Sequence, residues 1–285
     1  MEVAVNAMNS VDRVRSANAL EPVALRRAGW RGFRFGPLPE DLDDRLDHWL
    51  ASGQVEERTA DVFKHRRVWR IGEFVVKFSR SKGRLRDRLR SSPALRAALR
   101  ARDLPVATPR PLLALETAGA SSGQRLGVLV TEYVRGVLLE DCLRDDEYAM
   151  RRFTRFLAVL HRSGTIHGDF HWRNQIWSAE RDDWFLLDLE GLRHPLRKLL
   201  PARLVVRQWA RLCHCLRRSE ELRPHFERFF DEARITGCPE RAWRSVREHA
   251  RGIDRRQGSL WRFLGQGAVA SGFLGRPTFQ RGPAE

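Results

Sequence analysis

Apolar residues recur along this chain in two rhythms, and the change from one to the other is the first structural signal. In LPEDLDDRLDHWLASG (38–53), Leu42, Leu46, Trp49 and Leu50 fall three and four apart, which places them on one face of a helix. Acidic residues crowd its first turn, where they complement the helix dipole, and Gly53 suits the stop. The rhythm then shortens. RRVWRIGEFVVKFSR (66–80) reads as two strands joined at Gly72, with Val68, Trp69, Phe74, Val75 and Val76 supplying β-branched and aromatic bulk. SKGRLRDRLRSSPALRAALRARD (81–103) is helical in composition but interrupted at Pro93. The proline-punctuated LPVATPRPLLALE leads into a strand, and QRLGVLVTEYVRG (124–136) is another, ended by Gly136.

Beyond Gly136 the helical rhythm takes over. DEYAMRRFTRFLAVLHRSG (146–164) sets Phe153, Phe156, Leu157 and Leu160 on one stripe. A polar stretch follows, then the short apolar strand WFLLDLEG, and residues 201–252 hold two or three further helices. The expected architecture is α+β and two-lobed. A loosely held tail covers 1–38, a strand-rich N-lobe 39–134, and a helical C-lobe 135–257. A glycine- and arginine-rich end at 258–285 is expected to be poorly ordered.

Charge sharpens the picture only partly. The 285 residues carry a formal charge of +16, which implies attraction to something anionic. All but four of the 52 basic residues are arginine, the lysines being Lys64, Lys77, Lys82 and Lys198. Such a skew arises from coding bias as readily as from phosphate recognition, and the same holds for the run Arg84, Arg86, Arg88, Arg90, Arg96, Arg100 and Arg102. The four cysteines are too scattered for a disulfide framework. Cys213-His214-Cys215 lies in the helix-like LVVRQWARLCHCL, where residues two apart point in different directions, so buried thiols are expected there. The N-terminal segment has no signal-peptide core, and no apolar run is long enough to span a bilayer. The expected location is the cytoplasm, with peripheral association at the inner membrane face.

The chemistry concentrates in HGDFHWRNQIW (167–177). Asp169 and Asn174 stand five apart, and Asp188 closes the apolar WFLLD downstream. Carboxylate and carboxamide oxygens suit a hard cation such as Mg²⁺, usually shared with substrate phosphates. Two rival readings stand beside this one: a transition-metal site of His167, Asp169 and His171 completed by His161 or His194, and a turn that is merely capped by polar side chains. Lys77, inside the apolar strand FVVKF, is either a point charge aimed at a phosphate or a lysine whose stem packs while its ammonium reaches water.

Taken together, Lys77 on a strand, His167-Gly168-Asp169, Asn174 and Asp188 resemble the catalytic set of the protein-kinase-like fold. The HGD form, with DLE in place of DFG, looks closer to small-molecule and sugar kinases. RRVWRIGEFVVKFSR, TPRPLLALE, TEYVRG and HGDFHWRN are most similar to the lipopolysaccharide core kinases, which phosphorylate Kdo or heptose; the resemblance spans about 55–215. It implies that Lys77 binds the ATP phosphates and that Asp169 accepts the proton of the attacking sugar hydroxyl. Asn174 and Asp188 would hold Mg²⁺, with Glu190 a second ligand or a partner behind it. By the same resemblance, Glu132, Tyr133 and Val134 would form the hinge that pairs with adenine, and His167 would brace the loop. His171, two residues past the base, either donates to the transferring phosphoryl or packs beneath the loop. The partner implied is an anionic glycolipid or sugar acceptor, and no specific nucleic acid is expected. Alternatives are a small soluble alcohol or aminoglycoside-like acceptor, or a non-catalytic nucleotide-binding relative. Two departures stand out. RTADVFKHRR, where a glycine-rich loop belongs, has no glycine, leaving backbone amides or Thr59, Lys64 and Arg66 to cover phosphates. No helix glutamate faces Lys77, with RLRDRLR offering only Asp87.

Overall fold

The computed structural model describes residues 21–27, 29–52, 67–80, 91–117, 126–168, 170–193 and 202–265. Thr59, Lys64, Arg66, Asp87, the arginines of 84–90, Asp169 and His194 lie outside them.

The front half is one antiparallel six-stranded sheet. β1 (Val23–Arg27), β2 (Trp30–Arg34), β3 (Arg67–Ile71), β4 (Phe74–Arg80), β5 (Pro111–Thr117) and β6 (Leu126–Glu132) pair in the order β1-β2-β5-β6-β4-β3. One face is covered by α1 (Glu40–Ser52), whose Leu42, Leu46, Trp49 and Leu50 are all buried, as the three-four spacing requires. They pack with Trp30, Val76, Leu113, Leu115, Val128 and Val130 into a core of their own. The other face takes α2 (Pro93–Asp103), which buries Ala94, Leu95, Ala97, Ala98 and Ala101; side chains this small let the helix lie close on the strands. A helix begins at Pro93, the position where the expected interruption falls; the stretch 81–90 before it lies outside the described residues. The proline's missing N–H costs nothing in the first turn, and Ser92 caps the end by accepting from the Leu95 amide at 3.2 Å.

The expected tail over 1–38 needs a correction. Residues 23–34 form β1 and β2, a hairpin reversing at Gly29, whose φ of +79° favours glycine. Arginines at 26, 27, 31 and 34 hide the strand rhythm, and three of them are partnered. Arg27 pairs with Asp43 and Asp47 of α1, and Arg31 reaches the buried Glu116 at 3.2 Å. At the other end, the last helix runs through Gly265, so helix enters the segment expected to be a disordered tail from 258.

The back half is mainly helical. β7 (Val137–Leu138) follows the chain out of the sheet and pairs with β9 (Gln175–Ser178), which pairs with β10 (Asp183–Leu186). β8 (Ile166–His167) pairs with β11 (Leu192–Arg193). Around these lie α3 (Leu139–Asp145), α4 (Glu147–Arg162), α5 (Ala202–Leu216), α6 (Ser219–Glu232) and α7 (Pro239–Gly265). Phe153, Phe156, Leu157 and Leu160 of α4 are buried as their spacing predicts. No described helix is long and apolar enough to cross a membrane.

Two expectations follow. A Cβ on Gly136 would lie 2.2 Å from the Trp177 carbonyl oxygen, so Gly136→Ala should push the inter-lobe segment off β9. Overpacking of this kind costs about 1–3 kcal/mol, read as a lower Tm or denaturation midpoint. Burial pushes the thiols of Cys142 and Cys213 up to about 12, whereas Cys238 is exposed. A thiol reagent at pH 8 should therefore label Cys238 promptly and reach Cys142 and Cys213 only on unfolding; equal labelling rates in the folded protein would contradict this burial.

Candidate active site

Lys77 sits on β4 opposite Leu129 of β6 and Val68 of β3, so its backbone is held on both sides. Its Nζ lies 2.6 Å from Asp188 Oδ1 and 2.9 Å from Glu190 Oε1. The three side chains are 15%, 11% and 26% exposed, which screens their charges far less than at an open surface. One ammonium thus stands between two carboxylates, and the contact joins the sheet to the helical half. This is the arrangement that the sequence spacing could not show, since Lys77 and Asp188 are 111 residues apart.

Asp188 is placed by the backbone. Its φ and ψ are both 54°, the left-handed region that few residues other than glycine occupy and that aspartate tolerates best. The strained turn is fixed from three directions. A backbone carbonyl can only accept, so the 3.0 Å contact of His167 Nε2 with Asp188 O is a donation from the ring. The Gly168 amide donates to Gly191 O at 2.8 Å, continuing the β8–β11 pairing. From the far side, the Arg100 guanidinium of α2 donates to Leu192 O at 2.8 Å. His167 is buried, with its ring against the turn that carries Asp188.

The stretch after Gly168 is held as firmly. Asp169 lies outside the described residues, but its neighbours are fixed: Phe170 is fully buried and Arg211 of α5 donates to Gly168 O. Trp172–Asn174 form one 3₁₀ turn capped by His171, whose Nδ1 accepts from the Arg173 amide at 3.2 Å. A neutral His171 then carries its proton on Nε2. The Leu187 amide donates to Asn174 O at 2.8 Å, and Gln175 pairs with Leu186. Asn174 and Asp188 therefore flank the same end of the β9–β10 hairpin. Their donors, one carboxamide and one carboxylate, are the oxygen set a hard cation takes. No group of three or more His, Cys, Asp or Glu side chains able to hold a metal occurs among the described residues.

Glu132 and Val134 belong to the segment that links the halves, remote from Lys77 along β6. The Glu132 carboxylate accepts from both guanidinium nitrogens of Arg181 (2.8 and 3.1 Å) and from the Arg110 amide (3.0 Å). Tyr133 donates its amide to Glu73 O at 2.7 Å, under the Arg70 guanidinium. Val134 is buried with Ala107, Phe185 and Ile176 in a small apolar cluster. Arg100, Arg181 and Arg211 were not singled out by sequence for these contacts. In a chain so rich in arginine, only the tertiary contact marks them out.

Residues 57–165 match the model of the phosphotransferase enzyme family designated APH. A 55-residue stretch is 36% identical to Crinkler effector protein 8 of Phytophthora infestans. It covers 19% of this chain, and the match spans only 9% of that protein's length. Among solved structures, the chain is similar to WaaP in complex with acyl carrier protein. The TM-score is 0.51 at 20% identity, covering 79% of this chain and 98% of the other. It also matches the Cydia pomonella granulovirus kinase PK-1, with a TM-score of 0.35 at 17% identity over 55% of this chain and 58% of that one. The six-stranded sheet, the helical half and a likeness over 79% of the chain agree with the sequence resemblance: the chain has an α+β, two-lobed protein-kinase-like fold.

Proposed function

We propose that this chain is an ATP- and Mg²⁺-dependent kinase that phosphorylates a sugar hydroxyl of the lipopolysaccharide inner core. The observation that carries the reading is the Lys77 ammonium held 2.6 Å from Asp188 across the two lobes. The phosphotransferase family match and the likeness to WaaP support it.

Phosphoryl transfer asks little covalent work of a protein, so positioning and charge neutralisation carry the rate. Lys77 would donate to the ATP phosphates, and Asn174 with Asp188 would hold Mg²⁺. Bound Mg²⁺ supplies neutralisation of phosphate charge. The Val134 amide, which makes no hydrogen bond to another described residue, and the Glu132 backbone would receive the adenine edge. Val134, Ile176 and Phe185 supply apolar surface beside it. Asp169 would accept the acceptor's hydroxyl proton, and His171, with Nδ1 used as a cap, would donate from Nε2 to the phosphoryl. Exposed Arg173, stacked at 4.7 Å on Trp172, and exposed Arg211, bonded to the Gly168 carbonyl, lie at this loop. Their charge favours an anionic acceptor over a cationic aminoglycoside-like one.

Asp188→Asn and Lys77→Met should each lower Mg²⁺-dependent ATP turnover by roughly 100-fold or more. Turnover surviving in both would remove the catalytic assignment. Core oligosaccharide from a strain lacking this chain should lose one phosphate by mass spectrometry. An unchanged phosphate count, with transfer to a soluble alcohol in vitro, would reassign the acceptor. Arg211 holds the loop through the Gly168 carbonyl, so Arg211→Met should reduce kcat about 10-fold with KM for ATP little changed, as expected for misplacement; an unaltered kcat would end its positioning role.

A further inference from the structure

Protein kinases steady the phosphate-binding lysine with a glutamate from the helix that follows its strand. Among the described residues the first helix after β4 is α2, and its sequence PALRAALRARD contains no glutamate; Asp103 is its single acid, at the far end. The stretch 81–90 before it holds no glutamate either, only Asp87. The face α2 turns to the sheet is alanine and leucine, which cannot hold a cation. Lys77 nevertheless has two carboxylates beside it, and they come from one short turn: Asp188 and, within the 3₁₀ segment Leu189–Gly191, Glu190.

We propose that Glu190 is the positioning residue for Lys77, taking the role of the helix glutamate, and that it is not a ligand of the metal. The inference rests on the kinase reading above and deepens it. Glu190 Oε1 is shut off from solvent, and the ammonium 2.9 Å away is the cation at its side. The contact is an ion pair without hydrogen-bond alignment, which suits a charge that centres the lysine between two anions. The two acids have separable tasks. When Asp188 turns its oxygens to a metal, Lys77 keeps a carboxylate only if Glu190 stays with it. The support behind the turn fits this division. Leu189 is buried against the main core, Gly191 O receives the Gly168 amide, and Arg100 of α2 donates to Leu192 O. Helix α2 thus contributes no acid to Lys77 and instead holds the backbone that carries one. In this arrangement the lysine's alignment depends on the lobes being together, because Lys77 is on the sheet and Glu190 on the helical side.

The test uses the full chain, with MgATP turnover and ADP binding by calorimetry across a Mg²⁺ titration. Glu190→Gln keeps the shape and removes the charge. It should lower kcat at least 30-fold, leave the half-saturating Mg²⁺ for ADP binding within twofold of wild type, and add nothing in a Lys77→Met background. Glu190→Asp should recover part of the rate. Asp87→Asn, the other acid near this part of the sequence, should leave kcat within twofold. A Mg²⁺ midpoint raised as far as in Asp188→Asn would make Glu190 a metal ligand and overturn the proposal. So would a loss in Glu190→Gln that persists without Lys77, an unchanged kcat, or an Asp87→Asn variant that reproduces the loss. Failure of the wild-type chain to bind ADP at any Mg²⁺ concentration would instead bring down the kinase reading beneath it.

Discussion

A single ammonium facing two carboxylates sets the terms for the rest of this molecule. Lys77 cannot give up its hydration unless its partners are already in place, and a partly buried charge left without one costs several kcal/mol. The strand that bears it is therefore interior to the sheet, paired on both edges by β3 and β6. The turn that bears the acids is locked by hydrogen bonds from His167, Gly168 and Arg100. Those contacts sustain the left-handed backbone of Asp188, whose strain of order 1 kcal/mol persists only where the surroundings over-determine it. The strain has a use: it aims Oδ1 out of the helical half toward the sheet.

The same logic explains much of the arginine. Arg100, Arg152, Arg162 and Arg211 each donate to a backbone carbonyl in a distant turn or helix end. Hydrogen bonds from a charged donor are worth about 1.5–3 kcal/mol, more than neutral ones. A forked guanidinium can reach such carbonyls while its stem lies on the surface, which the single ammonium of lysine does less well. Part of the arginine behind the formal charge of +16 therefore also holds the chain together, whatever else its charge attracts.

How much of this was legible in the sequence depends on the range of the interaction. Where periodicity decided, as for Leu42, Leu46, Trp49 and Leu50 in α1 or Phe153 and Leu157 in α4, the pattern and the burial agree. At Pro93 the sequence marks a break, and the structure adds that the proline opens α2 at its first turn under the Ser92 cap. The strands at 23–34 were missed because arginines occupy positions where apolar residues would have marked the alternation. Their partners Asp43, Asp47 and Glu116 are remote in sequence. Within the site, residue types at the right spacing singled out Lys77, Asn174 and Asp188. The contact of Glu190 with Lys77 carries no local signature, nor does the grip of Arg211 on the loop, because both are made by the fold.

The hinge shows how the two halves are kept in register around that central pair. Arg181, at the turn between β9 and β10, grips the Glu132 carboxylate with two nitrogens, and the pairing holds its guanidinium above the usual pKa. Arg135 and Arg70 both approach Glu73 on the opposite side of the same segment. At least the exposed members of this set contribute little stability individually, since surface pairs are worth less than about 1 kcal/mol. Their value is geometric. Glu132 and Tyr133 are tethered through side chain and amide to opposite lobes, so rotation about the hinge must stretch one contact or the other. A rotation of that kind would also draw Glu190 away from Lys77, and the hinge pairs and the central ion pair therefore oppose the same movement.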